Sequence, residues 1–218
     1  MSTIRTLKGL AGMVWPGTRT NSQYGEDVFV GRFFKDKASG TWLDIGAFHP
    51  RVASNTERLR RRGWTGINVD ADPAKVRMFE WFRRSDVNVC AAVAGPAAGR
   101  AVLRTGAATY GSMDRLEMTT SDDGLETRTV DDILAEAGLE HLDFVSIDVE
   151  GLEADILEAF PFDRYMPELL CVEILDTTLD GVTGSPVTEL LARHGYRVVG
   201  WFPPSVFFAH RPLTVGHG

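Results

Sequence analysis

Cysteine is scarce, with only Cys90 and Cys171 among 218 residues, so nothing asks for a disulfide framework. Both sit in apolar runs that read as strands, the expected setting of buried, reduced thiols in a cytosolic protein. Long apolar runs are also missing, and none approaches the roughly 18 residues of a membrane-crossing helix. Positive charge is not in excess: 23 Lys and Arg stand against 30 Asp and Glu, a formal net charge of −7. That balance argues against a nucleic-acid partner, which would need a basic face. A further absence is the glycine triad G-x-G-x-x-G, which lets a backbone approach a pyrophosphate.

The first residues, Met1 to Trp15, carry Arg5 and Lys8 but no convincing apolar core followed by a cleavage site, so no secretory signal is expected. Ile4, Leu7, Leu10 or Ala11 and Val14 recur at helical spacing. This fits a docking arm or, alternatively, a membrane-surface helix. Residues 1–20 are therefore expected to form an N-terminal arm, and 21–218 a single domain of the cytoplasm.

What is present is an alternation of apolar runs and helical patterns. Ser22 reads as the cap of a helix with Glu26 and Asp27 in its first turn and Val28, Phe29, Phe33 and Phe34 on its apolar stripe. Thr41–Ile45 is a strand, and Ser54-Asn-Thr-Glu57 has the capping-box spacing of a helix that Gly63 stops. Gly66–Asp70 is a second strand, and Pro73 opens a helix carrying Val76, Phe79 and Phe82. Val87–Ala94 and Ala101–Thr105 follow, then a loop from Gly106 to Gly124 without periodicity. A loop of that length reads as functional or disordered, and Tyr110 to Met113 with the rest of it are expected to form the acceptor side or a lid.

Thr129 caps the next helix, Leu142–Val149 is a strand ending near Asp148, and Leu152–Phe160 is helical. Leu169–Leu175 carries Glu173, Pro186 opens a helix that stops at Gly195, and Tyr196–His210 forms a hairpin around Pro203-Pro204. The expected fold class is α/β: a mostly parallel sheet with helices on both faces and an antiparallel edge.

Three strands end on acids, Asp44, Asp70 and Asp148. In such sheets ligands bind beyond the carboxyl ends of the strands. Asp44 and Asp70 are 26 residues apart, near the roughly 20 that separate a nucleotide loop from its ribose-binding acid. The loop after Asp44 has one glycine, Gly46, followed by Ala47 and Phe48. A ribose-bearing cofactor without phosphates fits this better than a dinucleotide, with S-adenosylmethionine the leading candidate. A nicotinamide-dependent oxidoreductase is disfavoured on the same ground.

Ser22-Gln-Tyr-Gly-Glu-Asp-Val-Phe29, Asp44-Ile-Gly-Ala-Phe-His-Pro50, Ser54-Asn-Thr56, Gly63-Trp-Thr-Gly-Ile67, Val69-Asp-Ala-Asp-Pro73 and Ile147-Asp-Val-Glu-Gly-Leu-Glu153 together resemble the FkbM family of S-adenosylmethionine-dependent methyltransferases. The resemblance runs from about Ser22 to His210, with the motifs in the family's order. It implies the class I, Rossmann-like methyltransferase fold, with seven strands of which one is antiparallel. It also implies O-methylation of a sugar or polyketide hydroxyl. By the same resemblance Asp44 and Gly46 would lie along the methionine part of the cofactor, and Asp70 would hold the ribose. Ala71 and Asp72 would flank the adenosine, and Gln23 and Tyr24 would cover it.

Methyl transfer from a sulfonium needs an aligned acceptor and somewhere for its proton to go. His49, three residues past Gly46, is the first candidate for a base, because imidazole titrates near neutrality. Asp148 and Glu150 are candidates to orient His49, to bind the acceptor hydroxyl or, with Glu173, to hold a divalent ion such as Mg²⁺. The metal is the less favoured of these. Asn55 and Thr56 are candidate sugar-binding residues. Arg58, Arg60, Arg61 and Arg62 read as a solvated helix face, with a surface for an anionic acceptor as the minority reading. A small-molecule acceptor is the expected partner, and a homo-oligomer is left open. The rival from another class is a non-catalytic binding protein on the same fold.

Overall fold

A computed structural model describes residues 20–95, 99–104, 115–119, 125–149, 151–176 and 178–210. The expected arm (residues 1–19), most of the loop from Gly106 to Gly124, and Glu150 lie outside the described residues.

In chain order the elements are α1 (Glu26–Phe33), β1 (Thr41–Ile45), α2 (Glu57–Arg60), β2 (Thr65–Asp70), α3 (Pro73–Phe82), β3 (Val87–Cys90) and β4 (Ala92–Val93). Then come β5 (Arg100–Arg104), β6 (Arg115–Thr119), β7 (Leu125–Arg128), α4 (Val130–Glu136), β8 (Phe144–Ile147) and α5 (Glu153–Glu158). The chain continues through β9 (Leu169–Glu173), α6 (Leu179–Thr183), α7 (Pro186–Arg193), β10 (Arg197–Phe202) and β11 (Ser205–Ala209). Seven strands form the main sheet in the order β10-β11-β9-β8-β1-β2-β3. β11 runs antiparallel to both neighbours, and the pairings from β9 to β3 are parallel. This is the expected class I, Rossmann-like plan.

β1 lies at the centre, with Leu43 opposite Ile67 of β2 and Val145 of β8. A strand covered on both faces needs bulk on both. Alternation supplies it by sending Leu43 and Ile45 to one side and Trp42 and Asp44 to the other. Leu43 and Ile45 join Ile67, Val69, Val145, Ile147, Ile133 and Leu134 in the larger core. Trp42 packs with Val30, Phe34, Leu59, Trp64 and Phe144 beneath α1 and α2. Asp44 therefore faces the α1–α2 layer, where its carboxylate must find polar partners.

Several local expectations change. Ser22 does not begin the first helix. Its hydroxyl accepts from the N–H groups of Gly25 and Asp27, and the helix starts at Glu26 behind a left-handed Gly25. Only half of the capping box forms: Ser54 Oγ accepts from Glu57 N at 3.2 Å, while the Glu57 carboxylate turns to Arg60 and Arg61. The run from Val87 to Ala94 breaks after Cys90, and β4 leaves for a second sheet ordered β4-β7-β5-β6. β6 lies inside the stretch read as a loop, and β7 and α6 went unread. Cys171 is buried as expected, whereas Cys90 is exposed because β3 is the edge of the main sheet.

The arginine run is not simply a solvated face. Arg58 pairs with buried Asp27 at 3.1 Å, and Arg60 and Arg61 pair with Glu57 at 2.7 and 2.8 Å. Arg62 donates to the carbonyls of Gly31, Phe34, Lys35 and Lys37, at the end of α1 and in the turn beyond it.

Candidate functional site

β1 and β2 end side by side, and the loop after β1 folds over the end of β2. Gly46 N and Ala47 N both donate to Val69 O, at 2.9 and 3.1 Å. Gly46 adopts φ +77°, and a Cβ there would stand 1.7 Å from the Asp148 carbonyl oxygen beyond β8. Only glycine permits that approach.

Two residues further, Phe48 holds φ 56°, and Ala53 holds φ 51°. Left-handed geometry at non-glycine residues costs about 1–3 kcal/mol each and persists only where surroundings enforce it. Here the enforcement is visible. Phe48 N donates to Asp70 Oδ2 at 3.0 Å, and His49 Nδ1 accepts from Arg51 N and Val52 N, both at 3.1 Å.

Asp70 is buried at the end of β2, with Oδ1 accepting from Asp72 N at 2.8 Å. Burial pushes its pKa up, against the pull of the Asp72 and Phe48 N–H groups and Lys75. Two N–H donors leave a carboxylate with lone pairs to spare, as ribose hydroxyls would require. Asp72 caps α3 by accepting from Ala74 N at 2.7 Å, and Ala71 is buried against Ala92 and Ala101. That small cluster docks the second sheet beside the β2 acid.

Asp44, 4% exposed, is more enclosed than a site-lining acid needs to be. Thr56 Oγ1 donates to it at 2.9 Å, and Arg83 and Ser146 also stabilise its charge, yet burial outweighs them and raises its pKa. Thr56, expected at the mouth, is wholly buried and bridges Asp44 to Arg83. Asn55 is half-buried, and its amide reaches Ser146 Oγ at 3.2 Å and Cys171 Sγ at 3.8 Å. It therefore spans the ends of β8 and β9.

Asp148 follows β8 and is exposed, and Glu173 closes β9 half-buried. Asp148 lies close enough for its charge, with that of Glu26, to add to the burial that drives the Cys171 thiol far up. Gln23 and Tyr24 are exposed. Asn21 brings their segment beside the loop, accepting from Ser54 N and donating to Arg51 O. Among the described residues no three His, Cys, Asp or Glu side chains converge as a metal site. No helix among them is long and apolar enough to cross a membrane.

The roles of three participants were missed in the sequence. Arg83, wholly buried, donates to Thr56 Oγ1 and Asn68 Oδ1, each at 2.9 Å, and approaches Glu57 at 3.6 Å and Asp86 at 3.8 Å. Glu153 accepts from Val149 N and Gly151 N and so fixes the turn that presents Asp148. Its signal was its place two residues past a glycine at a strand's end. Glu26 was read as a first-turn acid. It is buried and accepts from Tyr24 N at 2.7 Å and Ser205 Oγ at 3.3 Å.

The profile of the Methyltransferase FkbM domain matches residues 44–198. The chain belongs to the FkbM methyltransferase family. It is thus an S-adenosylmethionine-dependent methyltransferase. No curated protein matches this FkbM chain. Solved structures similar to it include precorrin-6Y C5,15-methyltransferase from Geobacter metallireducens, 15% identical, covering 89% of this chain and 90% of that one at a TM-score of 0.46. An O-methyltransferase from Bacillus cereus in complex with SAH is 14% identical, covering 94% and 87% at a TM-score of 0.44. A putative RNA methyltransferase from Pyrococcus horikoshii is 10% identical, covering 99% and 100% at a TM-score of 0.45.

Proposed function

We propose that this FkbM methyltransferase moves the methyl group to a hydroxyl oxygen of a sugar or of a glycosylated or polyketide metabolite. The observation that supports the reading is the tie between Phe48 N and Asp70 Oδ2, which holds the β1 loop against the β2 acid. S-adenosylmethionine, when bound, supplies an activated methyl carbon on a sulfonium. Asp70 accepts the ribose hydroxyls, Ala71 and Asp72 flank the adenosine, and Gly46 lets the chain lie close along the methionine part. Asp44 acts from beneath as the buried support of that floor. Gln23 and Tyr24 cover the cofactor from the segment that Asn21 anchors.

On the acceptor side, Asn55 and Glu173 bond sugar hydroxyls, and Thr56 works from below by holding Asp44 and Arg83 in place. The proton leaves the acceptor oxygen for the exposed Asp148 carboxylate at the mouth, with Glu150 beside it in sequence. His49 takes a different part from a base. A base needs a lone pair, and that of Nδ1 is already shared by two backbone N–H groups. The neutral ring then carries its proton on Nε2 and donates toward the acceptor. Burial first, and Arg51 second, lower the His49 pKa, which keeps the ring neutral near pH 7.

Two substitutions separate these roles. Asp148→Asn should lower kcat by about 10²–10⁴-fold, the usual worth of a positioned base. His49→Asn, whose Oδ1 can accept the same two N–H groups, should keep kcat within about tenfold. The assay is methyl transfer into glycoside and nucleotide-sugar pools, with the new methyl located by NMR. A methyl found on nitrogen or carbon contradicts the hydroxyl assignment, and a dead His49→Asn with an active Asp148→Asn restores His49 as the base. Cofactor binding without product from any pool would favour a non-catalytic role.

A further inference from the structure

Outside the cofactor cleft, the outer faces of α1 and α2 enclose a groove of about 700 Å³ lined by Asn21, Val28, Gly31, Arg32, Lys35, Arg58, Arg61 and Arg62. Five cations line it and no acid does, in a chain whose net charge is −7. We propose that this groove is a binding site for a diphosphate ester.

Three guanidinium groups are held in place before any ligand arrives. Arg58 is fixed by Asp27 at 3.1 Å and Arg61 by Glu57 at 2.8 Å. Arg62 is fixed by carbonyl oxygens, two of them at 2.7 and 2.8 Å. Carbonyls orient a guanidinium without cancelling its formal charge. Glu57 is shared between Arg60, Arg61 and Arg83, so the groove keeps a surplus of positive charge. Exposed Arg32 at the end of α1 and exposed Lys35 in the turn beyond it complete the wall.

At Gly31 the Arg58 side chain covers the helix, and a Cβ there would stand 2.5 Å from Arg58 Cδ and push the arginine aside. Guanidinium forks match phosphate oxygens in pairs, and fixed forks lose less entropy on binding. The volume exceeds what one phosphate fills and falls in the range of small-molecule sites. Asn21 also lines the groove, and its amide donates to Arg51 O in the loop that carries His49. A diphosphate held there is one hydrogen-bonded residue away from the loop after β1. Its source is either a soluble ester or the headgroup of a lipid-linked one, since both present the same oxygens.

The test is calorimetric titration of the full chain with inorganic pyrophosphate and with inorganic phosphate, repeated on Arg32→Glu/Lys35→Glu. Both positions lie outside the cofactor cleft, and the double variant should keep wild-type thermal stability and S-adenosylmethionine affinity. Pyrophosphate should bind more tightly than phosphate, weaken as salt is raised, and lose at least about tenfold in affinity in the double variant. Sedimentation with phosphatidylcholine vesicles, with and without phosphatidylglycerol, assigns the source. Pelleting that needs the anionic lipid and is lost in the variant upholds the site and favours a headgroup. Pyrophosphate binding without pelleting upholds it and favours a soluble ester. Pyrophosphate that fails to bind at millimolar concentration, or binds the double variant equally well, overturns the proposal, and neither result touches the methyl-transfer reading.

Discussion

Replacing Arg83 with methionine should destabilise the protein more than any surface substitution of the same size. A methionine stem could still fill the space between Trp42 and Phe79, whose rings lie 5.5 and 5.4 Å from the Arg83 guanidinium carbon. What disappears is the charge and its donors. Thr56 Oγ1 and Asn68 Oδ1 each lose a hydrogen bond of 2.9 Å in a buried setting. Asn68 Oδ1 keeps the Trp42 Nε1 donor at 3.2 Å, so the cost of about 1–3 kcal/mol for a weakened buried polar group falls chiefly at Thr56. Asp44 and Asp86 lose the positive charge that opposes their burial, so their pKa values, already raised, rise further. Removing one member of a buried ion-pair group costs about 3–5 kcal/mol.

A loss of that size is about a fifth or more of the roughly 5–15 kcal/mol by which domains are stable. At this chain length it should lower Tm by about 6–20 °C. Guanidinium-induced unfolding of Arg83→Met, beside the exposed neighbour variant Arg84→Met, measures it directly. Arg84→Met should fall within about 0.5 kcal/mol of wild type. A double-mutant cycle with Asp86→Asn should return less than the summed losses, because the two groups lean on each other. An Arg83→Met loss below about 1 kcal/mol would refute the reasoning. So would additivity in the cycle.

Gly46→Ala should weaken S-adenosylmethionine binding at least tenfold and lower stability, because its Cβ meets a backbone oxygen at 1.7 Å and φ is +77°; calorimetry and thermal unfolding of the variant check this, and an unchanged affinity would mean that the strand ends can part without harm. Asp143→Asn should cost about 1–3 kcal/mol at pH 7, since Asp143 accepts from Lys37 and from Thr41 N at 2.8 Å. Burial pushes the Asp143 pKa up, but the Lys37 and Thr41 hydrogen bonds outweigh it and hold the carboxyl below its ordinary value. The stabilisation is thus fully present above an unfolded Asp pKa of about 3.9 and is lost as pH falls through the lower folded value. Unfolding curves of Asp143→Asn and wild type should converge there, and a constant gap down to acid pH would contradict the assignment.

The strand ends were legible because each carries its own signal: Trp42-Leu43 and Ile67 to Val69 supply bulk, and an acid or a glycine closes the run. That the central strands run parallel followed from the alternation of strands and helices, while their order in the sheet was not read from the sequence. Arg83 was not legible. It closes an amphipathic helix within Arg83-Arg84, where a solvated side chain is the ordinary reading, and its partners come from positions 44, 56, 57, 68 and 86. The arginines of α2 were misread for the same reason, since periodicity sees only the helix that carries them. Asp27 and the carbonyls of α1 that occupy Arg58 and Arg62 lie far away along the chain. Cys90 looked buried because Val-Asn-Val-Cys resembles an inner strand, and only the sheet order reveals an edge. For His49 the residue type pointed to proton transfer, while the bonds at Nδ1 depend on a loop conformation that no spacing rule encodes.

The central claim is that Asp70 and the loop after β1 share one adenosyl-binding cleft, and titration of S-adenosylmethionine into wild type and Asp70→Ala tests it most directly. The expected result is a loss of about 1–3 kcal/mol in binding free energy, roughly 5- to 150-fold in Kd, from a missing charged acceptor. Asp36→Ala, on an exposed turn, should bind as wild type does. Equal affinity in wild type and Asp70→Ala, with both proteins folded, would contradict the account.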